Sequence, residues 1–132
     1  MAAIPEKYLD LLADQKKAFA SIATVQPDGS PQVTPVWFDY VDGKVRVNTA
    51  KGRVKARNMK PGAAVALSIM DPDNAYRYVQ IRGKVTHETE DGARAHIDTL
   101  SHKYLGKDYP YASPTDVRVI FEIEPAAAQG MG

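Results

Sequence analysis

The chain has 132 residues, 44% of them apolar and 25% charged, the balance of one globular domain rather than of a disordered tail. Seventeen Lys and Arg against 16 Asp and Glu leave a net charge of +1, so the protein as a whole is neither basic nor acidic. The absence of cysteine excludes a disulfide, a thiolate nucleophile, an iron–sulfur cluster and a cysteine-type zinc site.

No run approaches the roughly 20 apolar residues of a membrane span, and Met1 to Asp10 has no apolar signal core. No membrane partner is therefore expected, and the lack of cysteine fits a reducing cytoplasm, the expected location. Pro5 to Lys17 reads as a helix, with Pro5 at its first position and Tyr8, Leu9, Leu11 and Leu12 on a broad apolar face. Ala18 to Val25 reads as a short strand. Pro27-Asp28-Gly29-Ser30 has turn chemistry, and Gln32 to Tyr40 returns as a second strand. Val41-Asp42-Gly43-Lys44 is a second hairpin signal. Val45 and Val47 alternate with polar residues in a third strand.

Lys51 to Lys60 suits a short helix closed by Pro61-Gly62. Ala63 to Met70 alternates large Val65, Leu67 and Ile69 with small Ala64, Ala66 and Ser68, a face that would let another element come close. Tyr76 to His87 is a long strand in which Gly83 marks a bulge or bend. Glu90 to Leu105 is helical by the spacing of Ala93, Ile97, Leu100 and Tyr104. Gly106 to Pro114 is a Tyr- and Pro-rich loop, a place for a substrate pocket. Val117 to Ile123 alternates as the last strand, Pro125 ends it, and the Ala/Gly tail is expected to be loose. About six strands in hairpins with flanking helices predict one α+β, mainly β domain over residues 1–132, an antiparallel sheet closed into a small barrel.

The net charge conceals a division. Lys44 to Lys60 holds seven basic residues and no acidic one, while the remainder carries 10 basic and 16 acidic residues, a balance of −6. The segment from Asn48 to Lys60 leaves a strand and enters a helix, and helix starts favour anions. Arg53 and Lys55 there make a candidate anion site, with Thr49 as a hydroxyl donor. The plainer alternative is a solvated basic face. A nucleic-acid partner is disfavoured: no aromatic lies between Tyr40 and Tyr76, and the acidic remainder repels a polyanion.

His87, His96 and His102 lack metal-ligand spacing and read as surface histidines, so no metal is expected. No GxSxG nucleophile motif, GxGxxG fingerprint or P-loop occurs. Trp37, Phe38, Tyr40, Tyr76 and Tyr78 lie on two strands, where they either wall a flat ring or pack the core.

Several segments, in order, resemble the split β-barrel oxidoreductases of the pyridoxamine 5′-phosphate oxidase-like superfamily. They are Asp28-Gly29-Ser30-Pro31 with Pro35-Val36-Trp37-Phe38; Thr49-Ala50-Lys51-Gly52-Arg53-Val54-Lys55-Ala56-Arg57-Asn58-Met59; Tyr78-Val79-Gln80-Ile81-Arg82-Gly83; and Arg118 to Pro125. Within it the chain looks most like the deazaflavin enzymes that use coenzyme F-420. The resemblance implies a six-stranded split barrel and a homodimer with the cofactor between the chains. It implies that Arg53 and Lys55 hold the cofactor phosphate, Thr49 lines the pocket and Asn58 braces it. Val36 and Asn48 would border the ring by backbone contacts, with Tyr78 reaching in from the neighbouring strand. Because the superfamily also uses FMN, the spare cations Lys51, Arg57 and Lys60 matter: they suit the anionic tail of F-420. The Ala/Gly ending departs from the long C-terminal extension of substrate-binding pyridoxamine-phosphate oxidases. Hydride transfer to an unsaturated small-molecule acceptor is the implied reaction. No catalytic residue is assigned, although Tyr78 is a candidate proton donor. A non-catalytic F-420 or flavin carrier and a polyanion binder are the competing readings.

Overall fold

A computed structural model describes residues 4–132. The described residues form one seven-stranded antiparallel sheet ordered β2-β1-β5-β6-β7-β4-β3. The strands are β1 Ala20–Val25, β2 Pro31–Val36, β3 Phe38–Val41, β4 Lys44–Ala50, β5 Ala64–Asp71, β6 Asn74–Thr89 and β7 Arg118–Met131. The helices are α1 Leu9–Leu12, α2 Val54–Asn58 and α3 Ala93–Leu105.

Seven strands replace the expected six because the run Gln32 to Tyr40 is two strands broken at Trp37. β2 pairs with β1, whereas β3 pairs with β4. These partners lie at opposite ends of the strand order, yet only Trp37 separates Val36 from Phe38. One residue spans a few ångströms, so the two edges of the sheet must meet at Trp37. The sheet is thus curled into a split barrel. No Gly, Asn or Asp marks a turn at Val36-Trp37-Phe38, which is why the sequence conceals the change of partner.

Inward residues of six of the strands fill the barrel: Ile22, Phe38, Val45, Leu67, Ile81 and Phe121 are essentially inaccessible, while β2 buries only Val36. The small residues of β5 face outward, with Ala64 and Ser68 exposed.

Three boundaries correct the sequence reading. The N-terminal helix is a 3-10 turn Glu6–Tyr8, the single turn α1, and a second 3-10 turn Asp14–Lys16, separated by extended Ala13 at ψ 144. Tyr8, Leu11 and Leu12 are buried as the periodicity requires. Beyond them, residues 13–17 offer no large apolar side chain to hold a helix against the sheet. Secondly, the helix expected over Lys51 to Lys60 is only the five residues of α2. It is preceded by Gly52 at φ 96, a conformation that favours glycine.

Thirdly, Pro125 does not end the last strand. β7 runs to Met131, so the Ala/Gly ending is not loose but paired with β6 from Tyr78↔Met131 to Arg82↔Ala127. The register shifts between Arg82 and Gly83, where Pro125 stands opposite Gly83. A proline without an N–H is tolerated at such a bulge. Gly83 is needed there, because a Cβ would collide with the carbonyl of Glu124.

Candidate functional site

The seam where the sheet edges meet holds a cavity of about 380 Å³. β2 gives it Pro35 and Val36, and the break gives Trp37. β4 gives Asn48 and Thr49, and the α2 segment gives Arg53 and Lys55. Helix α3 adds Ile97, the following loop Tyr109 and Tyr111, the start of β7 Arg118, and the residue ahead of β1 Phe19. Five of the expected site residues, Val36, Asn48, Thr49, Arg53 and Lys55, therefore converge here. Arg118, Tyr109, Tyr111 and Phe19 join them from distant parts of the chain.

No carboxylate is among the lining residues. Three cations face the cavity, and two of them are strained by it. Burial, with the nearby charges of Arg53 and Arg118, holds the Lys55 ammonium below the ordinary lysine range. Burial also pulls the Arg118 guanidinium down, with Arg53 and Arg94 contributing and Tyr109 and Asp116 opposing. Lys55 Nζ donates to Thr34 Oγ1 on β2 at 3.3 Å, which aims it across the seam. Arg118 Nε donates to Asn48 Oδ1 at 2.8 Å, and its guanidinium lies 5.4 Å from the centre of the Tyr109 ring. Thr49 Oγ1 and Arg118 Nη1 are buried without a hydrogen-bond partner among the described residues. A cavity with orphaned donors and uncompensated positive charge is complementary to an anion rich in oxygen acceptors. The arrangement rests on side chains, since α2 is too short to supply the helix-end field that the sequence suggests.

The aromatic residues group differently from the expectation. Trp37 stacks on Tyr104 at 5.3 Å, Tyr104 stacks on Phe19 at 4.8 Å, and Trp37 meets the edge of Tyr109 at 5.9 Å. Phe38 points into the core, and Tyr76 is 83% exposed at the start of β6. Phe19 ahead of β1, Trp37 at the β2–β3 break and Tyr109 of the loop thus give the cavity an aromatic wall, with Tyr104 of α3 stacked between Phe19 and Trp37. Its members are too distant in sequence to read as a cluster.

Three expected residues fall elsewhere. Lys51 lines a second cavity of about 340 Å³ with Arg57, Lys60, Glu88 and Glu90. There Lys51 Nζ is 3.1 Å from Glu90 Oε2. Asn58 Nδ2 donates to buried Thr24 Oγ1 at 3.0 Å, tying α2 to β1. Tyr78 stands on β6 between Met70 and Met131 and does not line either cavity.

His96 departs from the surface reading given to all three histidines. It is buried on α3, behind Asn48. His102 is exposed and pairs with Asp108 at 2.7 Å. Among the described residues no group of three or more His, Asp or Glu has metal-site geometry.

A family model of pyridoxamine 5′-phosphate oxidase matches residues 4–132. The chain belongs to the pyridoxamine 5′-phosphate oxidase family. This is an oxidoreductase family of flavin and deazaflavin type. A solved F-420 reductase is 36% identical with a TM-score of 0.82, over 96% of this chain and 98% of that one. A conserved hypothetical protein from Mycobacterium tuberculosis is 21% identical, TM-score 0.69, over 98% and 86% of the two chains. A FAD and haem binding protein from Mycobacterium smegmatis is 17% identical, TM-score 0.69, over 96% and 70%. The last two share the fold alone. No curated protein sequence matches. Among the described residues no helix is long and apolar enough to cross a membrane.

Proposed function

We propose that this protein is a coenzyme F-420-dependent oxidoreductase acting on an unsaturated small-molecule acceptor. The carrying observation is the seam cavity, where Arg53, Lys55 and Arg118 meet orphaned Thr49 with no carboxylate in the lining. The phosphate of the cofactor suits this cluster, with Arg gripping two oxygens and Lys adding a point charge. Trp37, Tyr109 and Phe19 supply flat apolar walls for a ring and keep water from it. Hydride donation and acceptance is the chemistry that the deazaflavin supplies when bound. The protein's part is position, dry walls and electrostatics. The likeness to a solved F-420 reductase supports the same cofactor.

FMN is the second reading, since its single phosphate also suits the cluster. The second cavity favours the deazaflavin: Lys51, Arg57 and Lys60 flank it, as an anionic tail would require. Part of that charge is already met by Glu88 and Glu90. The proposal includes a homodimer. Tyr78 lies in register between Met70 and Met131, which are 49% and 55% exposed. A partner chain would cover this apolar strip and receive Tyr78.

Calorimetric titration with F-420 and with FMN tests the assignment. Tighter binding of F-420 is expected, followed by oxidation of reduced F-420 by a quinone or enone acceptor. Binding of neither would overturn the reading. Binding without turnover on any acceptor would leave a carrier instead.

A further inference from the structure

We propose that His96 is a positioning residue for Arg118. It acts through Asn48 and never touches the cavity's contents. The inference rests on the reading of the seam as an anion site.

Donor and acceptor bookkeeping fixes every link. Arg118 Nε can only donate, so Asn48 must present Oδ1 to it, at 2.8 Å. The carbonyl of Ala93 can only accept, so Asn48 Nδ2 lies there, at 2.8 Å. The second amide hydrogen of Asn48 then points to His96 Nδ1 at 3.1 Å, which must accept it. The ring proton of His96 is therefore on Nε2, which donates to Asp39 Oδ2 at 3.1 Å. Arg46 closes the chain, donating from Nε to Asp39 Oδ1 at 2.8 Å and from Nη2 to Oδ2 at 2.6 Å. All the hydrogen bonds are satisfied by one orientation of Asn48 and one tautomer of His96.

The cavity gives this relay a task. Arg118 is buried beside Arg53 and Lys55, and like charges push it away. Its tether to Asn48 opposes that push. His96, Asn48 and Asp39 are themselves 5%, 8% and 5% exposed, so water cannot replace a lost link cheaply. Removing His96 strands one Asn48 hydrogen and leaves the amide held by the Ala93 carbonyl and Arg118 alone. An amide with one of its three restraints gone holds Arg118 less firmly against the repulsion of Arg53 and Lys55.

Two measurements test this. In the cofactor-free protein, solvent exchange of the Arg118 Nε–H, followed by ¹⁵N NMR, should be slow. His96→Ala should accelerate it about tenfold, the scale of coupling between contacting groups. His96→Gln, whose amide can both accept from Asn48 and donate to Asp39, should restore slow exchange. Secondly, His96→Ala should weaken binding of inorganic phosphate about tenfold in the wild-type and Arg53→Ala backgrounds, yet change little in Arg118→Ala. Should His96→Ala not fold, His96→Phe, of similar size without ring nitrogens, takes its place. Unchanged Arg118 exchange, or equal weakening in the Arg118→Ala background, would overturn the proposal. Failure of F-420 and FMN to bind would defeat the cofactor reading but leave the exchange measurement decisive for the relay.

Discussion

Arg53, Lys55 and Arg118 reach the cavity from two segments far apart in the chain. Replacing any one with Ala should cost about 1.5–3 kcal/mol of cofactor binding, the worth of a hydrogen bond to a charged group. Calorimetry on folded variants checks this; full affinity in all three would exclude the cluster as the phosphate site. Lys55 adds a pH dependence. Its pKa is held below the ordinary value, so the free protein loses this proton at lower pH than an exposed lysine would. An anion favours the protonated form. Affinity should therefore fall as pH rises through that lowered pKa, with proton uptake on binding, and Lys55→Arg should flatten the profile because arginine stays charged. Arg53 and Lys55 were legible in the sequence because seven cations without a carboxylate mark their segment. Arg118 was not, since a lone arginine at the start of an alternating strand looks like any solvent-facing residue. His96 was hidden likewise, because spacing does not reveal which histidine a neighbouring strand covers.

At the scale of elements, alternation and turn chemistry located most of the strands and the long α3 correctly. What failed were the boundaries decided by a neighbour. Pro125 ends strands when considered alone, yet the shift opposite Gly83 accommodates it. Gly83→Ala should therefore destabilise the protein by roughly 1–3 kcal/mol, the usual cost of overpacking. The shift is measurable as a lower urea midpoint, and an unchanged midpoint would show that the β6–β7 contact can relax. The N-terminal segment makes the same point. Tyr8, Leu11 and Leu12 anchor it to the core, and Arg77 ties it to β6 through Asp10 at 2.6 Å and the Lys7 carbonyl at 2.7 Å. Those contacts need only one helical turn.

Across the whole molecule, the +7 segment and the −6 remainder are spread over two cavities and several strands. Arg46 is engaged by Asp39, Lys44 lies 3.9 Å from Glu122, and Lys51 pairs with Glu90. The charge is thus partly neutralised by the fold, and what remains concentrates at the seam and along α2. Simultaneous Lys51→Ala, Arg57→Ala and Lys60→Ala should weaken F-420 binding while leaving FMN nearly unaffected, and should reduce the salt dependence of F-420 affinity. Equal loss for both ligands would place the tail elsewhere.

The sequence by itself determined the antiparallel β-rich domain, the core residues of its strands and the basic segment that carries two of the site's cations. These are local properties: side-chain period, turn residues and unbroken charge can be counted along a chain. Only the tertiary structure decided that the sheet's two edges meet at Trp37, that Arg118 and an aromatic ladder close the site, and that His96 lies behind it. Such features depend on which strands become neighbours, and that choice is made by the curl of the whole sheet as it buries its inner face.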